Sequence, residues 1–211
     1  MAATITRKNK VIQDPPFVTK LLSTPLASLI WLPIRVWLGW QWISSGLPKI
    51  SNPAWVGGGE ALKGFWTNAI AIPEAGRPPI AFDWYRGFIQ SLLDAQAYTW
   101  FAKVVAYGEL LVGVALILGA FTGIAAFFSG FMNWNFMMAG SASTNPLLFV
   151  AAVVLILAWK VAGYVGADYF LLPWIGTPWS RKSGSENGQE SGQDPVPAQA
   201  PAKERGLASA D

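Results

Sequence analysis

The sequence has 211 residues, of which 53% are hydrophobic and only 13% are charged. Because soluble domains carry about 25% charged residues, this composition favours a protein whose surface faces lipid. The net charge of +3 gives no indication of nucleic-acid binding. The chain contains no Cys and no His. It therefore has no thiolate nucleophile, and a His-ligated haem, an iron–sulfur cluster or a zinc site of the usual kind is not expected.

The chain begins with a segment that is predicted to form a basic tail over residues 1–20, in which Pro15 and Pro16 end any local helix. The hydrophobic run that follows is too long for a cleavable signal peptide. It predicts a first transmembrane helix over about residues 25–46, with Arg35 near its centre.

A long loop over residues 47–98 is rich in Trp and Phe, which is not typical of a disordered linker. Within it, residues 60–71 predict a short helix and residues 83–96 predict an amphipathic helix with an apolar face. Helices of this kind lie on a membrane surface or pack on the mouth of a helix bundle.

Three more hydrophobic spans are predicted at about residues 99–119, 120–140 and 146–166. The joint between the second and third spans is so short that these helices must be antiparallel neighbours. The predicted fold class is an all-α membrane protein, with a four-transmembrane-helix bundle over residues 21–179. Residues 180–211 are rich in Ser, Gly, Gln and Pro and are predicted to be disordered.

The orientation of the bundle follows from the distribution of Lys and Arg. Four spans place both termini on the same side of the bilayer. Basic residues occur in the N-terminal tail, and Arg181 and Lys182 follow the last span. The positive-inside rule then predicts a multi-pass protein of the inner (plasma) membrane with both termini in the cytoplasm and the long loop outside.

One acidic residue, Glu109, lies in the middle of the second span. A carboxylate at this depth is costly and needs a partner or a purpose. Because Arg35 lies near the middle of its own span, we expect the two side chains to face each other as an ion pair. The pair could handle protons near a bound molecule, or it could only fix the register of the helices; both interpretations stay open.

Polar residues on two spans are candidates for ligand binding. The spacing of Thr122, Ser129 and Asn133 places them on one helix face, whereas Asn135 points elsewhere. These groups could form hydrogen bonds between helices, or they could bind a quinone carbonyl or an anion that enters from outside. The outer end of the first span, residues 40–46, is both aromatic and polar and includes Trp40, Gln41 and Trp42. It forms either an interfacial aromatic belt or a stacking wall for a flat headgroup.

Five segments, in order along the chain, carry a family resemblance: RVWLGWQWISSGLPKI, NPAWVGGGEALKGFW, GELLVGVALILGAFTGIAAFF, NWNFMMAGSASTNP and FLLPWIGTPW. They resemble the DoxX family, and more closely its DoxD-type branch, over roughly residues 30–180. The resemblance implies a four-helix membrane bundle. It also implies a relation to thiosulfate:quinone oxidoreductase, in which DoxD-type members form the large subunit beside a small DoxA partner. The positions that match the family pattern are Arg35, Gly39, Gly46, Lys49, Glu109, Gly113, Gly119, Asn135 and Asn145.

The leading hypothesis is a subunit that binds a diffusible quinone and helps to pass electrons to it from a reduced sulfur compound such as thiosulfate. Arg35 and Glu109 are the candidate catalytic residues, and Lys49 and Lys63 could attract the anion. The candidate quinone-binding or substrate-binding residues are Trp40, Gln41, Lys49, Asn133, Asn135 and Asn145. A DoxA-like partner would have to come from another gene.

Two other functions are weighed against this hypothesis. The lack of Cys, His and any cofactor motif favours a non-enzymatic membrane scaffold or an accessory subunit of a larger membrane complex. A small-solute carrier is less favoured, because the sequence has neither inverted repeats nor paired broken helices.

Overall fold

A computed structural model describes residues 14–175 of the chain, and every regular element in this range is a helix. The predictions for residues 1–13 and 180–211 lie outside this range. A single 3-10 turn, Pro25–Ala27, precedes the second α-helix. The α-helices are α1 (Pro16–Ser23), α2 (Ser28–Ile50), α3 (Pro53–Val56), α4 (Glu60–Ile70), α5 (Asp83–Asp94), α6 (Tyr98–Leu118), α7 (Thr122–Met138), α8 (Asn145–Leu157), α9 (Trp159–Ala162) and α10 (Asp168–Trp174).

Helices α2 and α6 form an antiparallel pair whose backbones touch at glycines. A Cβ atom placed at Gly39 would lie 2.8 Å from the carbonyl oxygen of Gly113. A Cβ atom placed at Gly46 would lie 2.9 Å from the amide nitrogen of Leu110. Small residues allow helices to approach this closely, which is a common way of packing helices in membranes. These contacts fix the register of α2 against α6.

Helices α7 and α8 form a second closely packed pair, and a tight turn joins α7 to α6. Gly119 ends α6 with a φ of 67°, in the left-handed region that suits glycine. The carboxylate of Asp168 accepts hydrogen bonds from the backbone amides of Phe121 and Thr122. It thereby caps the N-terminus of α7, where the helix dipole favours a negative charge.

The loop between α2 and α6 contains α3, α4 and α5, and we call its residues 53–94 the cap. Helices α4 and α5 confirm the two helices that the sequence predicts in this loop. The cap packs on the start of α6 and the end of α7 through its own apolar cluster. The buried members of this cluster are Leu62, Trp66, Ala69, Ile80, Tyr85, Ile89, Ala97, Tyr98, Ala102 and Ala139.

Three predicted boundaries need correction. Helix α2 continues to Ile50, four residues beyond the predicted end of the first span. Residues 16–20 belong to α1, because Pro16 occupies the first helical turn, where proline's missing N–H has no intrahelical partner to lose. The fourth predicted span is divided, since α8 ends at Leu157 and the short helix α9 follows.

Among residues 14–175, helix α6 is long and apolar enough to cross a membrane. Helix α1 and the segment Pro25–Ile50 meet the same criterion only together, as a broken span or a re-entrant loop with a bend of 67°. Helix α8 is apolar but shorter, with 13 residues. Large apolar side chains are exposed on the outer faces of α6, α7 and α8, as a lipid-facing surface requires.

Candidate functional site

A cavity with a volume of about 460 Å³ lies between α2, α6, the end of α7, the start of α8 and the cap. Its mouth is marked by three exposed residues, Ser44, Ser45 and Thr144. Two deeply buried residues, Trp42 and Glu109, line its inner part. The complete lining is Gln41, Trp42, Ser44, Ser45, Lys49, Trp55, Leu62, Phe65, Glu109, Phe136, Ser141, Thr144, Asn145 and Leu148. We call this space the polar chamber.

An ion pair between Lys49 and Glu109 forms part of the chamber wall. The Lys49 ammonium donates to both carboxylate oxygens of Glu109, at 2.7 Å and 2.6 Å, and to the hydroxyl of Ser45 at 2.9 Å. The Glu109 side chain is 0% exposed and the Lys49 side chain is 19% exposed. An ammonium has three donors, so these contacts use all of them, whereas the carboxylate keeps spare acceptor capacity.

The continuation of α2 beyond Gly46 explains why Lys49 reaches Glu109. Residues three, four and seven positions apart share one face of a helix. Trp42, Ser45, Gly46 and Lys49 therefore follow one another along the face that packs on α6. The close approach at Gly46, where an added Cβ would lie 3.1 Å from the Cβ of Glu109, brings the acid within reach of the lysine.

The predicted ion pair between Arg35 and Glu109 is wrong. The guanidinium of Arg35 instead donates to the carbonyl oxygens of Ala162, at 2.9 Å, and Val165, at 2.7 Å. Arg35 lies 14 residues before Lys49 on α2, which is about 21 Å along the helix axis. Arg35 therefore lies level with the turn between α6 and α7, and it contributes nothing to the polar chamber.

The tryptophans that line the chamber are Trp42 and Trp55, and Trp40 is not among its lining residues. The indole of Trp40 is 61% exposed on the outer face of α2, as a lipid-facing or interfacial residue would be. Trp42 is 3% exposed and its ring nitrogen donates to the hydroxyl of Ser129 at 2.6 Å. The Lys49 ammonium lies 5.1 Å from the ring centroid of Trp55, within cation–π distance.

The four predicted amide residues occupy different places. Gln41 and Asn145 line the polar chamber, and Asn145 also donates to the carbonyl oxygen of Ser141 at 2.8 Å. Asn135 faces the cap, where its side-chain oxygen lies 3.1 Å from the hydroxyl of Tyr85. Asn133 is fully buried, and neither of its amide atoms has a hydrogen-bond partner within residues 14–175. The prediction that Asn133 and Asn135 point in different directions is therefore correct.

Both lysines that were expected to attract an anion have carboxylate partners. Lys49 is paired with Glu109, and Lys63 lies 3.4 Å from Glu60 on the exposed surface of α4. Each positive charge is therefore largely compensated by a neighbour. This geometry gives less support to an anion site at Lys49 and Lys63 than to a site for a neutral polar group.

Comparison with known proteins agrees with this membrane architecture. A family model described as DoxX matches residues 30–140, which is just over half of the chain. The chain belongs to the DoxX family. The match includes α2, the cap, α6 and α7, and so contains both members of the Lys49–Glu109 pair. No curated protein and no solved structure gives a significant match.

In this DoxX-family membrane protein, Trp42 and Ser45 of the predicted stacking segment 40–46 line the polar chamber. Continuing the helical spacing of α2 past Gly46 places them on the same face as Lys49. The sequence reasoning missed two other chamber residues, Trp55 and Phe136. The contributions of Trp55 and Phe136 depend on how the cap folds back onto the bundle, which no local pattern reveals.

Proposed function

We propose that this DoxX-family protein is a quinone-interacting membrane subunit of a sulfur-compound:quinone oxidoreductase, with thiosulfate as the candidate electron donor. The observation that carries the proposal is a buried carboxylate, Glu109, paired with Lys49 on the wall of a chamber with aromatic sides. Its volume of about 460 Å³ falls in the range of small-molecule sites, about 300 to 1,000 Å³.

The chamber suits both forms of a quinone. A quinone oxygen is an acceptor and a quinol hydroxyl is a donor. The Lys49 ammonium can donate to the first once it releases the hydroxyl of Ser45, and the spare lone pairs of Glu109 can accept from the second. The indoles of Trp42 and Trp55 offer flat apolar surfaces to the ring.

Reduction of a quinone to a quinol consumes two electrons and two protons. The Lys49–Glu109 pair can hold and transfer protons at the quinone oxygens, and Ser45 links the pair to the exposed mouth. The electrons must come from outside this chain, because its sequence has no Cys or His to hold a metal centre of the usual kind. A reduced sulfur compound bound by a partner subunit, such as a DoxA-like protein, would supply them.

The same proposal includes the membrane arrangement. Helices α2, α6, α7 and the α8–α9 pair would be the four spans, with both termini in the cytoplasm and the cap outside the inner membrane. The apolar length of α6 supports one of these spans, and the bent α1–α2 segment is compatible with a second. The polar chamber would then lie just beneath the cap, near the outer end of the bundle.

The rate of quinone reduction by the protein together with its co-purified partners tests the proposed role. Thiosulfate-dependent quinone reduction is measured for the parent protein and for Glu109→Gln, with Lys103→Met on the same helix as a control outside the chamber. We expect the rate to fall severalfold or more in Glu109→Gln and to stay at the parent level in Lys103→Met. Equal rates in all three would contradict a role for Glu109.

The second candidate is a non-enzymatic scaffold or accessory subunit. It is favoured because the charges of Lys49 and Glu109 neutralise each other within the protein. All three donors of Lys49 are engaged within the protein, as in a pair that only fixes helix register. Absence of quinone binding, together with stable co-purification of an unrelated membrane complex, would support the scaffold over the quinone subunit.

A further inference from the structure

A second cavity lies beside the polar chamber, between the cap and helices α6 and α7. Its volume is about 270 Å³, and its walls are almost entirely apolar. The hydroxyl of Tyr85 lies there, but it is engaged by the carbonyl oxygen and the side-chain oxygen of Asn135, each at 3.1 Å. We call this space the apolar chamber.

The two chambers share a wall. Leu62 and Phe65 of the cap and Phe136 of α7 line both spaces. One ligand could occupy both chambers if the Phe65 or Phe136 ring rotates aside. Such a ligand would need a polar ring for the first chamber and an apolar extension for the second.

The far side of the apolar chamber leads to the outer surface. Two of its lining residues, Phe88 of α5 and Phe131 of α7, are about half exposed. Phe131 lies on the same helix as the exposed Ile124, on a surface that would face lipid in the proposed membrane arrangement. A long apolar chain that enters the chamber could therefore continue between α5 and α7 into the bilayer.

We propose that the apolar chamber holds the first part of the isoprenoid tail of the quinone whose ring occupies the polar chamber. This inference rests on the proposed function. A cavity of about 150 Å³ accommodates benzene, so about 270 Å³ suits roughly ten carbon atoms, or about two isoprene units. The chamber thus selects a lipid-soluble quinone with a tail over a small water-soluble one.

Photolabelling locates the tail directly. The probe is a benzoquinone with a tail of two isoprene units and a diazirine on the second unit, added to the full-length protein in detergent micelles. Adducts are mapped by mass spectrometry with and without excess tail-less benzoquinone as competitor. Val105→Trp fills the chamber, because Val105 is buried in its wall, and Val104→Trp is the matched control on the exposed face of α6.

The inference predicts adducts on chamber residues such as Leu92, Val105 and Ala139, displaced by the competitor. Labelling should fall severalfold in Val105→Trp and stay unchanged in Val104→Trp. Ala139→Leu is a second, smaller filling variant with the same expected effect, and size-exclusion chromatography and circular dichroism report the folding of each variant. The adduct map of the parent protein tests the inference even if both filling variants fail to fold.

Two results would overturn the inference in distinguishable ways. In the first, tail-less benzoquinone binds and Glu109→Gln weakens its binding, but the adducts of the tailed probe fall on exposed outer residues such as Leu111. Only the tail site is then wrong. If neither quinone binds the parent protein, both the tail site and the proposed function are wrong.

Discussion

The Lys49 ammonium lies 2.7 Å and 2.6 Å from the two carboxylate oxygens of Glu109, across the interface between α2 and α6. This contact joins residues 60 positions apart in the chain. It places the one fully buried glutamate of the described region on the wall of a cavity rather than in a closed core. A charge pair with access to a bound molecule can act on that molecule, whereas a sealed pair can only stabilise the fold.

The stability of the pair can be measured with a double-mutant cycle. Glu109→Leu alone leaves the Lys49 ammonium without its partner and should lower the free energy of unfolding by roughly 3 kcal/mol. Lys49→Met combined with Glu109→Leu should recover most of that loss, because an apolar pair avoids the desolvation cost. Denaturant unfolding in micelles of the parent, Glu109→Leu, Lys49→Met and the double variant gives the three differences in free energy of unfolding. Simple additivity of the two single changes would show that the residues do not interact.

Arg35 should matter for stability and not for ligand binding. In Arg35→Lys, a single ammonium replaces the two guanidinium nitrogens that donate to the carbonyl oxygens of Ala162 and Val165. We expect the free energy of unfolding to fall by about 2 kcal/mol. Quinone affinity in the folded variant should equal that of the parent, because Arg35 is about 21 Å from Lys49 along α2. A folded Arg35→Lys protein that no longer binds quinone would contradict this separation of roles.

The attachment of the cap should weaken at high pH through Tyr85. Burial raises the pKa of its hydroxyl from 10.0 to about 12. The fold therefore favours the protonated hydroxyl, and its contribution to stability is complete below pH 10 and is lost as the pH rises toward 12. The difference between the absorbance spectra of the parent protein and Tyr85→Phe should show the phenolate of Tyr85 forming near pH 12. A step near pH 10 would mean that Tyr85 is solvated.

The two neighbouring tryptophans of α2 should differ in their effect on quinone binding. Trp42→Phe removes the donor to Ser129 and part of the chamber wall, and should weaken binding by up to about tenfold. Trp40→Phe changes an exposed indole and should leave affinity unchanged. Titration calorimetry of the two variants provides the comparison. Equal losses would place the ring outside the polar chamber.

Local patterns predicted the helices well, because apolar length and periodicity are properties of each segment. The cap helices α4 and α5, the tight α6–α7 joint and the shared face of Ser129 and Asn133 all follow from sequence spacing. The end of α2 was misjudged, because Gly46 looks like a helix stop. In the structure it is a contact glycine against α6.

That error contributed to the wrong partner for Glu109. Taking α2 to end at residue 46 placed Arg35 at the centre of its helix, level with Glu109 at the centre of α6. In the structure Gly39 lies against Gly113, and Gly46 lies against Glu109. Gly46 follows Arg35 by 11 residues, about 16 Å along the helix axis, so Arg35 lies beside Gly119 at the end of α6 and Lys49 reaches the acid. Such a register depends on packing between distant segments, which one sequence does not reveal.

The most direct test is the affinity of a short-tailed quinone for the purified protein in micelles, compared between the parent, Glu109→Gln and Arg35→Lys. The account predicts that the parent binds, that Glu109→Gln binds severalfold more weakly, and that Arg35→Lys binds like the parent. Equal affinity in the parent and Glu109→Gln, or no binding by the parent, would contradict a quinone site at the Lys49–Glu109 pair.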